Sequence, residues 1–270
     1  MRIDPTLTAA TAPSFSYSTG RTIIVVPCYN EAQRLDVGAF HAALEMLPGI
    51  DFLFVDDGSR DATLERLQDM AKRAPSRISV LALPRNGGKA EAVRQGLIEA
   101  TARGAAITGY WDADLATPLD AIGDMLRVLN RHDHVEVIFG SRRPLLGHKI
   151  ERADNRRLVS RICNALARVA LRMPIGDTQC GAKMLRATPS LTRALAAPFQ
   201  AGWLFDIELF SRLGTNGTTQ AAFYEMPLAE WYEIPGSKVS ARAVLRAGVQ
   251  MLGLIAEIRI APLAQRAAFL

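Results

Sequence analysis

Residues 22–31 read Thr-Ile-Ile-Val-Val-Pro-Cys-Tyr-Asn-Glu. The run from Thr22 to Val26 is β-branched and unbroken, and Pro27 ends it, so the segment is expected to form a buried strand. Working outward, four further apolar runs have the same character. They are Asp51–Asp56, Ile78–Leu83, Ala105–Trp111 and Val135–Phe139. Helical patterns fill the gaps at about 31–47, 60–74, 88–103 and 118–131. Strands alternating with helices of this length give βαβ units, so the fold class is α/β, a mostly parallel central sheet with flanking helices.

The pattern changes after residue 140. A long basic helix is expected over 151–173, with Leu158, Ile162, Leu166 and Val169 on one stripe. A turn at Pro174 and Gly176 follows, then a short strand at 181–186, a helix at 203–213, a strand at 220–230 and an amphipathic helix at 240–260. These elements read as an elaboration of the same sheet within a single domain. Residues 1–20 read as a flexible tail, since their Thr, Ser, Ala and Pro offer little to bury.

The chain has 270 residues, 49% of them hydrophobic and 22% charged, which is globular composition with enough apolar mass for a large core. Three scattered cysteines with no CxxC argue against a disulfide framework or a zinc site and favour a reducing, cytoplasmic setting. No apolar run has the length of a membrane span; Val244–Ile260 is interrupted by Arg246, Glu257 and Arg259. The net charge is +5 but uneven. Between Arg142 and Arg172, nine basic residues face only Glu151 and Asp154. So basic a segment suggests an anionic partner such as a phosphate or a membrane face.

In an open parallel sheet, ligands bind beyond the carboxyl ends of the strands. Three strands here end in acid-bearing segments, at 27–31, 56–59 and 112–114. Alone, Asn30 or Ser59 reads as a helix cap and Asp57-Gly58 as a turn. Together, the acids require a cation or a donor-rich ligand to offset their repulsion. Asp112 and Asp114, one residue apart after a buried strand, suit a divalent metal that also takes substrate phosphates. Asn86-Gly87-Gly88-Lys89 lacks the Walker spacing, and it serves equally as a helix entry or a nucleotide contact. The missing G-x-G-x-x-G argues against a nicotinamide-dependent oxidoreductase, and the missing Gly-rich basic loop after the first strand argues against a sugar nucleotidyltransferase. A nucleic-acid-binding module would leave the strand-end acids unexplained.

The segments PCYNE (27–31), DDGS (56–59), RNGGKAEAVRQG (85–96) and DADLATP (112–118) resemble family 2 inverting glycosyltransferases of the GT-A fold. GSRR (140–143), DTQCGAKML (177–185), WLFDIEL (203–209) and EWYEIPGSKV (230–239) look like the dolichyl-phosphate β-glucosyltransferase branch. The resemblance covers about residues 21–260. It implies a Rossmann-like sheet with a nucleotide-sugar-binding half at 21–141, an acceptor-binding half at 142–260 and a C-terminal tail at 261–270. It implies transfer of a hexose, glucose foremost, from a UDP-sugar to a polyprenyl or dolichyl phosphate, with Mg or Mn as cofactor and peripheral membrane association. A soluble hydroxyl acceptor or GDP-mannose is the alternative.

By the same resemblance, Pro27, Tyr29 and Glu31 line the nucleoside pocket, and Asp56 or Asp57 bonds the uracil. Lys89 or Arg94 approaches the diphosphate. Asp112 lies near ribose and metal, and Asp114 ligates the metal. Arg142, Arg157 and Arg161 contact the acceptor phosphate. Asp206 is a candidate base, needed only for a hydroxyl acceptor. Related polyprenyl-phosphate mannosyltransferases carry Gln where Ala116 stands, a departure that weakens the mannosyl reading.

Overall fold

In chain order the elements are β1 (Thr22–Cys28), α1 (Val37–Met46), β2 (Ile50–Asp56), α2 (Thr63–Arg73), β3 (Ile78–Ala82), α3 (Lys89–Ala102), β4 (Ile107–Trp111), α4 (Ala121–Arg131), β5 (Val137–Ser141), β6 (Lys149–Ile150), α5 (Asp154–Leu171), β7 (Ala182–Arg186), α6 (Pro189–Ala194), α7 (Phe205–Thr215), β8 (Phe223–Pro227) and β9 (Glu230–Trp231). They come from a computed structural model that describes residues 20–151 and 154–234, with Gln250 and Gly253, the side chains of 154–162 excepted. The tail expected at 1–20 (save Gly20), the helix at 240–260 (save two helical positions) and the segment 261–270 lie outside the described residues.

Seven strands form one sheet in the order β3-β2-β1-β4-β7-β5-β8, and β6 pairs with β9 beside it. Pairing is parallel except where β7 runs antiparallel between β4 and β5. One sheet therefore runs through both halves of the chain. The unbroken apolar runs in β1 and β2 follow from burial on both faces. Ile24, Val26, Phe52 and Phe54 pack with Phe40, Leu67 and Met125 on one face. Ile23, Val25, Leu53 and Val55 pack with Val93, Leu97 and Leu209 on the other. The ring of Phe40 meets those of Phe52 and Phe54 edge-on at 5.2 and 4.9 Å, a favoured geometry that adds to the area they bury.

The strand expected at 220–230 is broken into a 3-10 turn at Gln220–Ala222, β8 and β9, and three further expectations shift. Strand β1 does not stop at Pro27 but continues to Cys28. Its ladder to β4 has already ended at Val25, so the missing proline N–H breaks nothing. Helix α1 starts at Val37, not near residue 31, and its cap is Asp36, whose Oδ1 accepts from Ala39 N at 2.9 Å. Asn30 and Ser59 cap no helix. Asn30 N donates to Ser59 Oγ at 3.0 Å, and Arg60 N donates to Asn30 Oδ1 at 2.9 Å. Glu31 N donates to Thr63 Oγ1 at 2.8 Å. These bonds brace the loops after β1 and β2 against each other and hold 29–36 open as a cavity wall.

Candidate active site

At the carboxyl ends of β1, β2 and β4 lies a cavity of about 220 Å³, lined among others by Pro27, Tyr29, Glu31, Asp57, Asp112 and Asp114. Lys89 and Arg34 also line it. A larger cavity of about 430 Å³ between α4 and β8 holds none of the candidate site residues. The topology explains the convergence: β1, β2 and β4 are adjacent and parallel, so the loops that follow them meet at one edge.

The acids are set in place by backbone contacts. Asp112 N donates to Gly181 O at 3.0 Å, tying the end of β4 to the approach to β7. Leu115, three residues on, has φ +56°, a left-handed conformation rare for a branched side chain. Trp111 Nε1 clamps this turn by donating to Thr117 O at 2.8 Å, and Ala116 N donates to Asp114 Oδ1 at 3.1 Å. Burial, and then the neighbouring Asp112 carboxylate, push the Asp114 carboxyl above its ordinary range. Two crowded carboxylates are the oxygen-rich, under-coordinated set that Mg²⁺ or Mn²⁺ accepts when phosphates complete the shell. Among the described residues no group of three or more His, Cys, Asp or Glu is placed to hold a metal ion by itself.

Gly181 makes room for this arrangement. A Cβ there would overlap the Asp112 carboxylate. Because that carboxylate is the end of a flexible side chain, Gly181→Ala should displace it at little cost to folding. Mn²⁺ and UDP binding should fall at least tenfold with the melting temperature nearly unchanged; calorimetric titration alongside a thermal melt measures both.

Of the adjacent acids, Asp57 is committed to structure. Its Oδ1 and Oδ2 accept from Gly87 N and Gly88 N, each at 2.8 Å. Burial still leaves its carboxyl raised despite these bonds. The pair fixes the turn that enters α3, whose first residue is Lys89. Asp56 differs. It is 2% exposed, its Oδ2 accepts from Ser59 N at 3.2 Å, and its Oδ1 is buried without a partner. A buried orphan acceptor is costly and is rarely left unused.

Three more expected roles are redirected. Arg94 does not line the cavity: it grips both Glu91 oxygens at 2.7 Å and donates to Leu195 O at 2.8 Å. Arg142 is no free cation. Its guanidinium forks onto Asp177 at 2.6 and 2.8 Å and lies over Trp231 at 5.3 Å. Burial works against the Arg142 charge, but Asp177 outweighs it and raises the group above its ordinary value. Asp206, the candidate base, and Glu208 beside it are buried, at 4% and 5% exposure. Asp206 Oδ1 takes the Tyr110 hydroxyl and the Lys183 ammonium, the latter at 2.9 Å. It does not line the cavity, and its Oδ1 is already committed to two donors.

Arg157 and Arg161 fall on α5, where their side chains lie outside the described residues. Part of the positive excess from 142 to 172 is offset across the fold, since Arg142 pairs with Asp177 and Arg143 with Glu225. Arg34 is a site residue that sequence reasoning missed. It holds Glu31 through Nε at 2.9 Å and through Nη2. Its only sequence signal was the three-residue spacing from Glu31.

Residues 23–190 match the family described as "Glycosyl transferase family 2". The chain belongs to that family, and its fold is GT-A. A dolichyl-phosphate beta-glucosyltransferase of Trichomonas vaginalis is 31% identical over 252 residues, covering 88% of this chain and 72% of the relative. The human dolichyl-phosphate beta-glucosyltransferase is 31% identical, with 82% and 70% covered. A polyprenol monophosphomannose synthase of Mycolicibacterium smegmatis is 29% identical, with 76% of each chain covered. Among solved structures, glucosyl-3-phosphoglycerate synthase from Mycobacterium tuberculosis, in complex with Mn²⁺, UDP and glucosyl-3-phosphoglycerate, superposes with a TM-score of 0.61. That match has 17% identity and covers 92% of this chain and 86% of the other.

Proposed function

We propose that this chain transfers glucose from UDP-glucose to the phosphate of a polyprenol, with inversion at the anomeric carbon. The observation that carries this is the meeting of Asp112, Asp114, Lys89 and Arg34 in one cavity at the ends of β1 and β4. Two carboxylates beside two cations suit a metal-bound diphosphate. The names of the two glucosyltransferase relatives support the sugar and the acceptor.

Asp56 Oδ1, a buried orphan acceptor next in sequence to the cavity-lining Asp57, accepts the uracil N3–H. Tyr29 and Pro27 wall the nucleoside. Asp112 and Asp114 would hold a divalent cation, which would neutralise charge on the leaving diphosphate. Lys89 and Arg34 take part of the same charge. An acceptor phosphate oxygen attacks C1 from the face opposite UDP. The C1–O bond to the acceptor forms as the C1–O bond to the β-phosphate breaks. The acceptor oxygen is already ionised, so no general base is required, in keeping with the commitment of Asp206 to Tyr110 and Lys183. Arg157 and Arg161 on the basic helix bind the acceptor phosphate, with the enzyme resting peripherally on a membrane face. No helix among the described residues is long and apolar enough to cross a membrane.

The nucleobase assignment is tested by competition. UDP should displace the donor at least tenfold better than GDP, and Asp56→Ala should erase most of that preference. Equal competition by GDP would remove the uridine assignment and favour the mannosyl relative.

A further inference from the structure

The Lys89 ammonium lies 2.5 Å from Asp112 Oδ1. That oxygen is sealed from water, and its contact with the ammonium is an ion pair rather than an aligned hydrogen bond. The lysine side chain itself is 43% exposed, at the first position of α3, and opens into the cavity. The Lys89 ammonium therefore stands on one of the two carboxylates that the donor site offers to a metal.

Retreat is closed to it. Lys89 Nζ sits 5.7 Å from the centroid of the Tyr110 ring, and the buried Lys183 ammonium sits 5.2 Å from the same ring. Moving inward would bring two like charges together in a region of low dielectric. The remaining direction is outward, along a flexible four-carbon stem, into the space where a diphosphate would lie.

We propose that Lys89 is a displaceable counter-ion that occupies Asp112 in the free protein and makes metal binding depend on the nucleotide. A divalent cation arriving alone must compete with an ammonium already paired to Asp112. A nucleoside diphosphate offers Lys89 a more highly charged partner, draws it off Asp112 and frees the carboxylate. Metal and nucleotide then bind with positive coupling, and linkage makes that coupling reciprocal. The inference deepens the donor reading of this cavity and rests on it.

The test is Mn²⁺ binding, followed by electron paramagnetic resonance of the free ion, with and without UDP, in wild type, Lys89→Met and Lys89→Arg. Wild type should bind Mn²⁺ weakly alone and at least tenfold tighter with UDP, within the usual range of coupling between sites. Lys89→Met should bind Mn²⁺ alone about fivefold tighter than wild type, bind UDP alone more weakly, and lose most of the coupling. Lys89→Arg, which keeps the charge, should stay close to wild type for Mn²⁺ alone. Equal Mn²⁺ affinity in wild type and Lys89→Met, with UDP still tightening both, overturns the counter-ion role and leaves the donor reading standing. No Mn²⁺ binding in either protein, even with UDP, overturns both. Thermal melts confirm that each variant is folded.

Discussion

Replacing Asp114 by alanine should lower transfer at least a hundredfold while the protein stays folded. A factor of a hundred corresponds to about 2.7 kcal/mol of lost transition-state stabilisation, a modest share of what a metal-neutralised leaving group supplies. The stability side follows from the direction of the shift. The Asp114 carboxyl is raised by burial and by Asp112, so its ionised form is less welcome in the folded chain than in the unfolded one. A raised carboxyl contributes stability at low pH and loses it as pH rises through its range. At neutral pH, alanine therefore removes a repulsion as well as the bond from Ala116 N, and the two changes oppose each other. Transfer assays paired with denaturant melts measure both. Full activity in Asp114→Ala, or in wild type with EDTA, would contradict the metal assignment.

The second large effect concerns the buried cluster behind the site. Lys183 is 0% exposed, donates to Cys180 O at 2.6 Å and pairs with Asp206 at 2.9 Å. Burial, and then Asp206, hold the Tyr110 hydroxyl well above its ordinary value, so it remains a donor. Lys183→Met should leave the Asp206 carboxylate buried without its cation and cost about 3–5 kcal/mol. For a chain of this size that is a fall of about 10 °C in melting temperature. The double variant Lys183→Met/Asp206→Asn removes both charges and keeps an acceptor for Tyr110, so it should recover much of the loss. An unchanged melting temperature in the single variant would mean that the pair does not stabilise this part of the core.

Strands β1, β2 and β4 were legible because burial on both faces demands unbroken apolar residues, which no other element of that length requires. The acids at their ends were legible because sheet topology brings strand ends together whatever the loops do. The helix starts were not. Asn30 and Ser59 are typical cap residues, and nothing local shows that they bond to each other's loops. The adjacent pair Asp56 and Asp57 could not be separated by sequence, because their roles depend on Gly87 and Gly88, some thirty residues on. Charge counting failed for Arg142 for a related reason: its partner Asp177 is 35 residues away. Depth was equally hidden. Asp206 opens a helix, a common place for a surface acid, yet here it faces a lysine that enters from β7. Segments 235–249, 251–252 and 254–270, with the motif at Gly236–Lys238, lie outside the described residues.

The most direct measurement of the proposed function is a donor-by-acceptor transfer assay on the purified chain. UDP-glucose, UDP-galactose and GDP-mannose are each offered with polyprenyl phosphate in detergent and with simple alcohols, in Mg²⁺, Mn²⁺ and EDTA. Glucose from UDP-glucose should appear on the lipid phosphate with β configuration, in the presence of either cation and not in EDTA. GDP-mannose and the alcohols should yield at most traces. Glucosylation of an alcohol with the lipid phosphate untouched, or preferential transfer from GDP-mannose, would contradict the account.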